Sequence, residues 1–176
     1  MSSMSRQSQR TLEMCIFALL GALMFGSKKL MEALPNIHLL GLLTMVSTVV
    51  FREKALVPIY LYVILEGLFA GFNLWWFPYL YIWTILWGVT MLLPKNMPKK
   101  VATVVYPAVC GLHGFLYGIL YAPAQAIIFG LDWNGMVGWI VTGIPYDLIH
   151  GLSNVMAGLL VLPLAELIRQ QLKRGR

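Results

Sequence analysis

Six long apolar runs, separated by short clusters of basic residues, set the limits on what this chain can fold into. The runs cover about 12–33, 37–51, 55–72, 75–93, 101–121 and 145–166. A membrane-crossing helix needs close to 20 apolar residues, and only the second run falls well short. Inside lipid the backbone must satisfy its own hydrogen bonds, which a helix does within one segment. The predicted fold is therefore an all-α integral membrane protein of six transmembrane helices, with residues 1–176 forming a single transmembrane domain. Composition agrees: 11% of residues are charged and the mean hydropathy is +0.75. A soluble domain carries about 25% charged residues. With so few charges the chain has too little polar surface for water, and no polar stretch is long enough to fold as an aqueous domain.

The net charge of +6 does not point to nucleic acid. Its basic residues lie between apolar runs and do not alternate with aromatic residues along a polar groove. Arg6, Arg10, Arg52, Lys54, Lys95, Lys99, Lys100, Arg169, Lys173, Arg174 and Arg176 all fall on one side of a six-span topology, leaving Lys28 and Lys29 on the other. The positive-inside rule then places both termini in the cytoplasm. The segment 122–143 (APAQAIIFGLDWNGMVGWIVTG) is apolar but interrupted by Gly130, Asp132, Asn134, Gly135 and Gly138, so it is predicted to be a long loop with short helical pieces. A seventh span there would move the basic C-terminus outside. Pro145 suits the first turn of the sixth span. The polar start Met1–Gln9 leads directly into an apolar run followed by more membrane, which favours a retained helix over a cleaved signal. Trp75, Trp76, Phe77, Tyr79, Tyr81, Trp133 and Trp139 form an expected interfacial belt. Cys15 and Cys110 lie in apolar surroundings and read as free thiols.

Several residues are candidates for chemistry or contact. Ala18, Ala22 and Gly26 recur every four residues and make one smooth helix face. Such faces allow close helix approach in lipid. This one serves either packing within the bundle or docking to another membrane protein. Gly67, Gly71, Gly111, Gly114 and Gly118 are expected to pack internally. The densest polar group opens the sixth span, in PYDLIHGLSN: Asp147, His150 and Asn154 share a face, with Tyr146 beside it. Polar groups at membrane depth face the bundle interior or a water-filled cavity. They form either a ligand pocket or a satisfied hydrogen-bond network. Asp147 and His150 would supply only two ligands to a metal, so no metal site is assigned. Glu66 lies alone in the third span, either functional or paired with His113 or a tyrosine. His38 and His113 read as ordinary lone histidines. Trp83 and Trp87 are four apart and either stack on a flat ring or pack. No Ser–His–acid spacing supports a hydrolase.

Taken together, the chain resembles the substrate-binding S-component of energy-coupling factor (ECF) vitamin transporters. The resemblance rests on the small six-span plan, the Ala18-x-x-x-Ala22 motif of the first span, the IPYDLIHGLSN run and the WWFPYLYIW segment. It covers nearly the whole chain. It implies a non-enzymatic transport subunit of a prokaryotic plasma membrane that takes up a vitamin or related micronutrient. The partners would be a membrane coupling subunit and two cytoplasmic ATPases; this chain binds no cofactor, and its partners use ATP. By the same resemblance Ala18, Ala22 and Gly26 carry docking. Trp75, Tyr79, Trp83, Tyr146, Asp147, His150 and Asn154 are placed in the pocket by depth and face. Aromatic walls with few charges favour a bulky, largely neutral cargo, which points toward a corrinoid such as cobalamin. Pantothenate and a queuosine-type precursor are alternatives. The rival class is a membrane-embedded enzyme using Asp147, His150 and Glu66; an assembly factor relying on the Ala face is the third.

Overall fold

The computed structural model describes residues 6–174. The described chain is all-helical, with eight α-helices and no strand. They are α1 (Arg6–Leu30), α2 (Leu40–Phe51), α3 (Leu56–Ala70), α4 (Tyr79–Leu92), α5 (Lys99–Phe115), α6 (Tyr117–Phe129), α7 (Trp133–Gly158) and α8 (Val161–Arg174). One 3-10 turn (Arg52–Ala55) joins α2 to α3, and another (Leu74–Trp76) precedes α4.

The organising element is α2. Every residue from Leu40 to Val49 is buried, as expected of a helix that is apolar all round and enclosed by others. Two apolar clusters meet along it. Leu42, Met45 and Val49 pack with Leu86, Tyr106, Cys110 and Val161. Leu40 and Leu43 pack with Met24, Ile59, Tyr62, Ile82 and Trp83 on the other side. The outer surface is strongly apolar: Leu19, Leu68, Phe69, Val104, Met156 and Ile127 are between 67% and 83% exposed. Meanwhile Thr44, Ser47, Glu66, His113, His150 and Asn154 are buried. Exposed apolar area of this extent marks a surface that meets lipid or protein rather than water.

Two segments are long and apolar enough to cross a membrane, Gln7–Leu30 and Lys99–Phe129; the pair α7–α8, bent by 42°, makes a third if it is one broken span. Helices α2, α3 and α4 have 12, 15 and 14 residues. They are shorter than the expected 37–51, 55–72 and 75–93 because turns take up the ends. Arg52 takes φ +55°, Gly71 takes φ +90°, and Pro78 can only start α4.

The predicted loop at 122–143 is corrected. Helix α6 runs on to Phe129 and α7 begins at Trp133, leaving a turn of three residues. Gly130 closes α6 in the left-handed conformation at φ +63°. Asp132 caps α7 by accepting from the Gly135 N–H at 2.7 Å. Asn134, Gly135 and Gly138 simply lie within α7. Pro145 is likewise well inside α7 rather than in its first turn, and the sixth apolar run is split by the bend before Val161.

Helices α5 and α7 touch backbone to backbone. A Cβ at Gly114 would lie 2.9 Å from both Gly151 Cα and the His150 carbonyl oxygen, and one at Gly158 would lie 2.7 Å from Pro107 Cα. Small residues on both helices create this approach, and it sets the depth of α7's polar residues.

Candidate functional site

At one end of the bundle, six helices and a connecting segment deliver aromatic and polar side chains to one place. The C-terminal ends of α1, α3 and α5 meet there with the N-terminal ends of α4 and α6 and the second half of α7, and the α1–α2 connection adds His38. Trp83 is the hub and is 1% exposed. Around it lie Tyr62 (ring centroids 6.1 Å apart), Tyr79 (6.1 Å), His113 (5.7 Å), Tyr117 (6.1 Å) and His38 (6.0 Å). His150 closes the circle, 4.6 Å from His38 and 4.7 Å from Tyr117. All three histidines of the chain are in this cluster.

Hydrogen bonding fixes the frame but not the centre. His113 Nε2 engages the Ile82 carbonyl at 3.1 Å. Tyr81 donates to the Leu120 carbonyl at 2.7 Å and Tyr121 to that of Trp75 at 2.8 Å. Tyr121 also stacks on Trp139, 5.7 Å away. In contrast, His38 Nδ1, Tyr62 Oη, Trp83 Nε1, His113 Nδ1, His150 Nε2 and both amide atoms of Asn154 are buried with no hydrogen-bond partner. Native proteins leave few such groups. A buried polar group left unpaired costs about 1–3 kcal/mol. Their concentration around one tryptophan is a polar demand that the fold itself does not meet.

Charge enters at the rim. Glu66 is 1% exposed and pairs with Lys28, and with Lys29 at 3.2 Å. Of the two readings of Glu66, pairing with His113 or a tyrosine gives way to pairing with lysines: those at the end of α1 reach it across the α1–α3 contact. The Lys28 ammonium lies 5.8 Å from the Trp75 ring and 5.6 Å from that of Tyr79, within cation–π range.

The predicted pocket residues divide. Trp75, Tyr79, Trp83 and His150 lie at the cluster or its rim, and Asn154 lies one helical turn beyond His150, against Gly41 and Gly114. Asp147 reaches a different place: its two oxygens accept from the Gly118 N–H at 3.0 and 3.1 Å. It thus caps the start of α6 from a neighbouring helix. Tyr146 is 58% exposed on the outer face of α7. Ser153 donates to the His150 carbonyl within its own helix at 2.9 Å. Trp87 donates to the Arg52 carbonyl at 3.1 Å, at the opposite end from the cluster. His38, Tyr62, His113 and Tyr117 were not singled out as site residues by sequence. Among the described residues, no group of three or more His, Cys, Asp or Glu is arranged to hold a metal ion.

The smooth face of α1 lies outside the bundle. Ala18 and Ala22 are exposed and Gly26 has open space beside it, whereas Phe17, Gly21 and Met24 turn inward. Internal packing is therefore not what Ala18 and Ala22 do. Gly67, Gly111, Gly114 and Gly118 do pack internally. Comparison with known protein families, curated proteins and solved structures finds no match.

Proposed function

We propose that this protein is the substrate-binding subunit of an ECF-type importer: a six-span membrane protein with both termini in the cytoplasm. The observation that carries the reading is the set of unpartnered buried polar atoms around Trp83, gathered from different helices at one end of the bundle. A bound solute that hydrogen-bonds to them relieves a standing penalty and stacks between rings, which is how a site selects a flat or amide-bearing molecule. Charge placement supports the orientation. Arg10, Arg52, Lys54, Lys99, Arg169 and Lys173 lie at the end opposite the cluster, which the positive-inside rule makes cytoplasmic. The cluster then lies toward the outer side, and the exposed Ala18–Ala22 face is free to dock on a membrane coupling subunit that works with two ATPases.

The cargo class is a vitamin or related micronutrient, with a corrinoid favoured and pantothenate or a queuosine-type precursor as alternatives. A membrane enzyme built on Asp147, His150 and Glu66 gains no support from the geometry, because Glu66 is tied to the two lysines and Asp147 to Gly118. The test is a thermal-shift screen of the detergent-purified chain against a vitamin panel that includes cobalamin. A ligand at a hundredfold excess over its Kd adds about 2.7 kcal/mol of apparent stability. No shift across the panel from a folded sample counts against the reading.

A further inference from the structure

We infer that the groove between α1 and α8 holds an anionic phospholipid of the surrounding bilayer. This inference rests on the membrane placement and orientation above, and not on the transport role or the cargo. The groove has a volume of about 1140 Å³, larger than the roughly 300–1,000 Å³ of small-molecule clefts. It lies beside α8, which is bent by 42° from the α7 axis.

Its two ends differ in chemistry, as those of an amphiphile do. Leu12, Ile16, Leu19 and Leu23 of α1 face Leu167 and Ile168 of α8 along an apolar wall. Arg10, Glu13, Lys54 and Gln171 stand at the mouth. Lys54 pairs with Glu13 at 2.7 Å. Arg10 makes no ion pair among the described residues, so the mouth carries a net positive charge. From Gln9 to Leu23 the α1 wall extends about 21 Å at 1.5 Å per residue. That length matches one leaflet's hydrocarbon of roughly 15 Å plus its headgroup layer. Basic pockets between helices on the cytoplasmic side bind anionic headgroups. Here the phosphate of such a lipid meets Arg10 and Lys54 while its chains lie along the leucines.

Native mass spectrometry of the full chain tests this, using equimolar palmitoyl-oleoyl phosphatidylglycerol and phosphatidylcholine in detergent. One net basic charge near the surface predicts retention of phosphatidylglycerol about fivefold over phosphatidylcholine. The double variant Arg10→Gln, Lys54→Gln leaves Glu13 alone at the mouth and abolishes or reverses the preference, and Leu20→Trp, which fills the groove, lowers retention of both lipids. If Leu20→Trp does not fold, the charge variant decides alone. Equal retention of the two lipids means an unselective lipid annulus and overturns the inference, as does a preference that survives the charge variant. A photocrosslinking residue at Leu20 in native membranes supplies the last arm. Lipid adducts support the assignment; a protein adduct in their place gives the groove to a membrane partner and overturns it.

Discussion

Gly114→Ala tests whether the α5–α7 seam positions the polar cluster. In α5 the new methyl would sit 2.9 Å from Gly151 Cα and 2.9 Å from the His150 carbonyl oxygen. The Asn154 amide nitrogen, also 2.9 Å away, can turn aside, but the other two obstacles are backbone, so the helices must separate by about half an ångström or more to regain ordinary contact. Overpacking of this kind costs about 1–3 kcal/mol. Replacing a helical glycine by alanine returns roughly 0.5–1 kcal/mol in backbone terms. The net expectation is a loss of about 0.5–2 kcal/mol. Gly143→Ala in α7 is the matched control, because nothing lies within 4 Å of its added Cβ and only the gain of about 0.5–1 kcal/mol applies. The two substitutions are chemically identical and should move stability in opposite directions. Equilibrium unfolding in mixed micelles measures both. A Gly114→Ala protein as stable as Gly143→Ala would refute the claim of backbone contact, and with it the means by which His150 is held in place.

Further expectations concern charges and caps. Glu66→Gln leaves Lys28 and Lys29 facing a neutral amide; because each lysine is about a fifth exposed, the loss should lie near or below the roughly 3–5 kcal/mol of a broken buried pair, read as a lower unfolding midpoint. Unchanged stability would show that the pairing contributes nothing. Asp147→Ala removes the acceptor for the Gly118 N–H and should cost about 1 kcal/mol, with Asp147→Asn losing less in the same assay. Ala22→Trp places a bulky ring on an exposed face, so the isolated chain should fold and bind ligand as before while transport by the assembled complex fails. Lost binding in a folded Ala22→Trp protein would contradict the docking role.

Much of this fold is legible in the sequence because long apolar runs leave the backbone few ways to satisfy its own hydrogen bonds, and the described chain is all-helical. The boundaries are harder. Gly130, Asp132, Asn134 and Gly135 look like a loop, yet only Gly130 and Asp132 interrupt the helices, one through its positive φ and the other through its cap. The site is legible where its residues share one helix face, as His150 and Asn154 do. It is invisible where tertiary contact makes it. Nothing near His38 or His113 in sequence announces that both meet Trp83, since they come from the α1–α2 connection and from α5. The link from Lys28 to Glu66 spans 38 positions, and local charge patterns do not reveal it. Asp147 shows the converse: it shares a helix face with His150, but the break between α5 and α6 offers its carboxylate a nearer donor.

The most direct test of the central claim is calorimetric titration of the purified chain with whichever vitamin the screen selects, alongside Asn154→Ala and His150→Ala. A ligand satisfying the unpartnered atoms around Trp83 should bind with one-to-one stoichiometry. Truncating either residue should weaken it about five- to tenfold, since one lost hydrogen bond to a buried group is worth roughly 1–1.5 kcal/mol. A ligand whose affinity is unchanged in both folded variants would contradict the account by placing the site elsewhere.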